Sequence, residues 1–72
     1  MTYYWDFIGP RSEAIARHHA AHLGEFTQRN QLEGCEIGVD IQSPMRATAW
    51  IKASEPAQAP IEKALRPPRR TP

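Results

Sequence analysis

Residues 3–8, Tyr-Tyr-Trp-Asp-Phe-Ile, combine aromatic and β-branched side chains without a breaker, which predicts a strand. A period of two puts Tyr3, Trp5 and Phe7 on one face and Tyr4, Asp6 and Ile8 on the other. Gly9-Pro10 ends it, and Pro10 suits the first turn of a helix, where a missing N–H costs nothing. From about Pro10 to Asn30 the period becomes helical. Ser12, Ile15, Ala16, His19, Leu23, Phe26 and Asn30 share one stripe with His22 at its border, while Glu13, Arg17, Gly24 and Gln28 lie opposite. Glu13–Arg17 and Glu25–Arg29 have the i,i+4 spacing of ion pairs, acid first.

Alternation returns further on. Cys35, Ile37, Val39 and Ile41 alternate with Glu36, Gly38, Asp40 and Gln42, and after Ser43-Pro44 come Met45, Ala47, Ala49 and Ile51 between Arg46, Thr48, Trp50 and Lys52. Two such runs across a short turn predict a hairpin. Directly opposed residues point to the same face, so the two apolar sets must pair with each other. That parity calls for an odd loop and argues against a two-residue turn. Pairing Ile41 with Met45 sets Val39 opposite Ala47, Ile37 opposite Ala49 and Cys35 opposite Ile51. It also brings Asp40 across from Arg46; a slip of two residues, which opens the loop to five, would keep the faces and lose that ion pair.

Ala47 and Ala49 are small enough to let a helix approach. The Ile15/Leu23/Phe26 stripe is expected to meet Trp5, Phe7, Ile37 and Ile51. The expected fold is therefore an α/β (α+β) two-layer sandwich with a β-α-β-β core over residues 1–55, like half of a ferredoxin-like unit. Residues 56–65 read as a linker in which Pro60 can open a short helix through Ile61 and Leu65. Residues 66–72, with no apolar group to bury, read as a disordered Pro/Arg tail.

The chain has 72 residues, room for one domain with a thin core. Cys35 is its single cysteine, so no disulfide can close within the chain, and an unpaired thiol fits a reducing, cytoplasmic setting. The start of the chain does not read as a secretory signal, and no apolar run is long enough for a membrane helix. The net charge of +1 hides an asymmetry. With Arg66, Arg69 and Arg70 set aside, residues 1–65 hold six basic against eight acidic side chains, a charge of −2. An acidic fold disfavours nucleic acid as a partner.

Tyr3-Tyr4-Trp5-Asp6-Phe7, Gly9-Pro10, Ala16, His18-His19, His22-Leu23 and Glu25-Phe26 resemble a small family of bacterial proteins of about this length that has no assigned activity. The resemblance covers the first third of the chain and extends loosely to the hairpin. It implies the same fold and no mechanism.

Several side chains invite chemistry. His18 and His22, four residues apart, have a spacing that can put two imidazoles on one metal, but the Glu of an H-E-x-x-H motif is absent. His19, mid-stripe, reads as a buried neutral core histidine with a depressed pKa. Arg11 and Ser12 follow Gly9-Pro10 at a helix start, where backbone N–H groups welcome anions, although Ser12 can equally be a cap. Cys35 reads as an inert thiol on the apolar face. No nucleophile, base and orienting group assemble, so no catalytic residue and no cofactor is expected. The outer sheet face carries Tyr4, Trp50, Arg46 and Lys52 among polar neighbours. Large aromatics there favour a protein partner, the chain itself included, or cover by the C-terminal segment; a homodimer would answer the thin core. Single-stranded nucleic acid is the weaker alternative, because Asp6, Glu36 and Asp40 would repel phosphates.

Overall fold

The fold is seen in a computed structural model that describes residues 1–72. It is α+β. A four-stranded antiparallel sheet carries two helices, in the order β1 (Thr2–Ile8), α1 (Ser12–Arg29), β2 (Glu36–Ser43), β3 (Arg46–Lys52), α2 (Glu55–Leu65) and β4 (Arg69–Thr71). The strands lie in the order β2-β3-β1-β4. None of the helices is long and apolar enough to cross a membrane.

β1 and β3 form the centre, with Tyr3 opposite Ile51, Trp5 opposite Ala49 and Phe7 opposite Ala47. Under α1, Ala16, Ala47 and Ala49 make one wholly buried cluster, with Phe7, Ala20 and Val39 packed around it. Tyr3, Trp5, Leu23, Ile51, Ala53, Ala57 and Ile61 make the larger one. α1 begins at Ser12 with Arg11 at its N-cap, so Pro10 belongs to the preceding turn. Glu13 and Arg17 pair at 3.0 Å on its outer side. The expected Glu25–Arg29 pair is not made.

The hairpin register corrects the sequence expectation. Ile37 faces Ile51, Val39 faces Ala49, Ile41 faces Ala47 and Asp40 faces Thr48, two residues away from the Ile41–Met45 pairing. The Asp40–Arg46 pair is therefore absent, and Arg46 stands opposite Ser43. Parity still holds, because the odd residue sits inside β2. A shift between Ile41 and Ser43 accommodates Gln42 as a bulge, and the turn itself is the two residues Pro44-Met45. Met45 and Ile15, expected inside, are 51% and 47% exposed. Both lie at the end of the sandwich where β1 hands over to α1; Gly9 N–H donates to the Met45 carbonyl there at 2.7 Å. Ile8 and Ile41, 79% and 45% exposed, share that end.

The C-terminal third departs furthest from expectation. Residues 56–65 are no linker: α2 starts at Glu55, before Pro60, and Pro60 lies within it. Ser54 precedes it in an extended conformation, and Pro56 occupies the first turn, where its missing N–H is tolerated. Ala57 and Ile61, four residues apart, are wholly buried and close the large cluster. Residues 66–72 are not disordered either. Arg69–Thr71 form the edge strand β4, with Thr2 opposite Thr71, Tyr3 opposite Arg70 and Tyr4 opposite Arg69. Truncating Ile61 to Ala should cost about 2–5 kcal/mol, comparable to the whole net contribution of a core this small. Denaturant unfolding checks this, and an unchanged midpoint would contradict the docking of α2.

Candidate functional site

The sheet register organises the face away from the helices into rows. One row runs Arg69, Tyr4, Trp50, Gly38 from β4 to β2; the row on one side holds Thr71, Thr2, Lys52 and Glu36, and the row on the other holds Asp6, Thr48 and Asp40. Arg46 and Ile8 follow. All four predicted face residues, Tyr4, Trp50, Arg46 and Lys52, thus share this surface, although their neighbours treat them differently.

Tyr4 is engaged within the chain. The Arg69 guanidinium lies over its ring at 4.2 Å, and its hydroxyl hydrogen-bonds Thr71 Oγ1 at 3.0 Å. Arg69 also grips Asp6 through two bonds, Nε to Oδ2 and Nη2 to Oδ1, both 2.9 Å. Thr48, wholly buried by its neighbours, donates to Asp6 Oδ1 at 2.6 Å and accepts from Gln42 Nε2 at 3.0 Å. A polar chain therefore crosses the sheet from β4 to β2. These partners, Arg69 first and Thr48 next, hold the Asp6 carboxyl at about 2, below its usual 3.8. Arg69 is raised in turn by its bonds to Asp6.

Trp50 is different. Its indole leans over Gly38 so closely that a methyl group at residue 38 would overlap ring carbons and Nε1. Gly38 is what lets a tryptophan lie down against the sheet. The indole Nε1 is buried against the strand and finds no hydrogen-bond partner in the fold.

On the helical side, Tyr3 donates its hydroxyl to Glu62 Oε2 at 2.5 Å, and Arg70 Nη1 reaches the same oxygen at 3.2 Å. Burial, and then the Glu62 bond, push the Tyr3 phenol up to about 12. His19 packs against Trp5 and Phe7 with ring centroids 4.7 and 5.8 Å away, and its Nε2 is buried without a partner. Burial first, then His22 and His18, lower its pKa below the usual 6.5.

The remaining candidates are scattered. The His18 and His22 rings stand 4.3 Å apart in a tilted pair, and no third histidine, cysteine or carboxylate completes a metal-binding group. Ser12 is the first helical residue rather than a cap; its hydroxyl is buried and unpartnered, while Arg11 is exposed. Cys35 is half-buried just before β2, with Sγ 3.9 Å from both Ser54 Oγ and the Glu33 carbonyl. Two shallow depressions mark the surface, at Thr27–Glu33 and beside Arg66-Pro67-Pro68, with Leu32 the single hydrophobic side chain lining them.

Sequence reasoning missed the Arg69–Asp6–Thr48–Gln42 chain and the Tyr3–Glu62–Arg70 cluster. The signal was the opposition between an acidic residue 1–65 segment and an arginine-rich end. Comparison with protein-family models, with curated proteins and with solved structures returned no match.

Three of the four shifted groups, His19, Asp6 and Tyr3, set the pH dependence of stability. The unfolded chain holds protons more tightly at His19 and Asp6, so stability falls on acidification, first below pH 6.5 and again from about 4 toward 2. At Tyr3 the folded chain holds its proton longer, so stability falls as pH rises from 10 toward 12. Denaturant unfolding across this range should show a plateau between pH 6.5 and 10. His19→Leu should remove the fall that begins at 6.5, and a profile that stays flat down to pH 5 in the wild type would contradict the buried neutral imidazole.

Proposed function

We propose that this chain is a non-enzymatic interaction module that binds a protein surface, a second copy of itself first, through its open sheet face around Trp50. The observation that carries the reading is the indole itself. It leans over Gly38 on the sheet face that neither helix covers, half-buried, with its N–H turned in against the strand and without a hydrogen-bond partner. Tryptophan in such a position offers a large apolar ring face to a partner, the kind of anchor favoured at protein interfaces. Lys52 lies beside it and Arg46 two rows away, beyond Thr48, and Glu36 and Asp40 supply the opposite charge on β2, giving a mixed polar rim.

The element order with sheet order β2-β3-β1-β4 supports reading the whole chain as a ferredoxin-like unit rather than half of one. Such an arrangement leaves one sheet face without helices. Support for a non-catalytic role comes from where the reactive groups lie. Cys35 has Ser54 and Glu33 as its polar partners, His19 stands on aromatic rings, and Arg69 is spent on Asp6 and Tyr4. That last engagement also weighs against a phosphate backbone on this face, since Arg46 and Lys52 are the basic side chains left there. The unpaired Cys35 thiol suits the reducing cytoplasm.

The two indole N–H resonances separate the possibilities, because Trp5 is buried in the core and Trp50 is not. Raising the protein concentration to millimolar should shift the Trp50 resonance and leave that of Trp5 in place. Trp50→Ala should abolish association through this face. Gly38→Val, which keeps the indole but lifts it off the sheet, should weaken it as well. A monomeric protein with an unmoved Trp50 resonance removes the self-associating form of this reading. A salt-sensitive shift on adding a single-stranded oligonucleotide would replace it with nucleic-acid binding.

A further inference from the structure

β4 is joined to the rest of the molecule in an unusual way. Its three residues are all exposed, so no apolar side chain anchors it. What holds it is a set of polar contacts: Arg69 to Asp6, Arg69 over Tyr4, Thr71 to Tyr4 and Arg70 to Glu62, besides backbone pairing to Thr2–Tyr4. Detachment of this strand leaves both buried clusters intact, which places it at the low-stability end of the fold.

The hinge is strained. Arg66, which links α2 to Pro67-Pro68, adopts the left-handed conformation with φ 44° and ψ 61°. Glycine normally occupies that helix-ending position, because a Cβ is crowded there. A following proline adds a preference for extended backbone at the residue before it. If Arg66 relaxes to extended backbone, Pro67-Pro68 continue as a stiff polyproline arm and carry residues 69–72 away from their own sheet. Each freed β1 edge then presents, at Thr2–Tyr4, a surface shaped and charged for a strand of this same sequence.

We propose that two copies of this chain exchange their β4 strands. In the exchanged dimer every contact named above is remade between chains, and both hinges lose their left-handed arginine. The occupant of the edge is fixed by complementarity: an acid at Asp6, a hydroxyl at Tyr4 and an acid at Glu62 match Arg69, Thr71 and Arg70 one by one. The interface is isologous and closes at two subunits. It uses the β1 edge and leaves the face around Trp50 free, so it stands independently of the binding reading above.

Thr2 and Thr71 are directly opposed across β1 and β4, within the Cα separations that a disulfide spans. The test is a Thr2→Cys, Thr71→Cys chain with Cys35→Ser, concentrated to millimolar, fractionated by size, oxidised, and run denatured without reductant. The dimer fraction should yield covalently joined pairs of chains and the monomer fraction internally closed single chains. In a cysteine-free background, Arg66→Gly removes the hinge strain and should raise the dimer dissociation constant at least about tenfold. No dimer at millimolar concentration, a dimer whose disulfides all close within single chains, or an Arg66→Gly variant that dimerises as well as its parent each overturns the exchange.

Discussion

Three alanines decide how this molecule is built. Ala16 of α1 meets Ala47 and Ala49 of β3, and all three are wholly buried. Side chains of one carbon let the helix seat close to the central strands, which brings Leu23 and His19 down onto Trp5, Phe7 and Ile51. With so few residues, this seat and the Ala57/Ile61 contact of α2 account for five of the twelve buried residues. Because β3 alternates strictly, alanines facing the helix oblige Thr48 and Trp50 to face the other way. The outward-facing indole and the close helix are thus two consequences of one strand.

The two faces solve different problems. Beneath the helices, packing dominates, and the polar groups caught there carry its mark: the Tyr3 phenol is driven up and the His19 imidazole down. On the open face, polar groups pair across strands. Asp6 gathers Arg69 and Thr48, and this attachment turns an arginine-rich terminus into a fourth strand. A thin core is thereby extended at its edge by charge rather than by apolar area, an arrangement that weakens when Asp6 is protonated.

Strand faces and the first helix could be read from local pattern. Period two correctly placed Tyr3, Trp5, Ala49 and Ile51 against the helix and Tyr4 and Trp50 away from it, because alternation is a property of a few neighbouring residues. Register was not readable. The bulge at Gln42 costs no change in composition, yet it moves the pairing by two residues and undoes the Asp40–Arg46 contact. Nor was β4. Arg69 finds Asp6 across 63 positions of sequence, and no local propensity makes Arg-Arg-Thr a strand. The candidate face was legible as a set of side chains, whereas the capping of Tyr4 by Arg69 and the dependence of Trp50 on Gly38 emerge only in three dimensions.

The seat of α1 on β3 is the claim on which the rest stands, and enlarging it is the most direct test. Ala49→Leu places a bulky side chain where Ala16 now rests, and overpacking of this kind costs about 1–3 kcal/mol. Guanidinium unfolding should show the midpoint falling accordingly, whereas Lys52→Leu on the outer face should leave it nearly unmoved. Equal tolerance of leucine at both positions would contradict the seat, and with it the division of the sheet into a packed face and an open one.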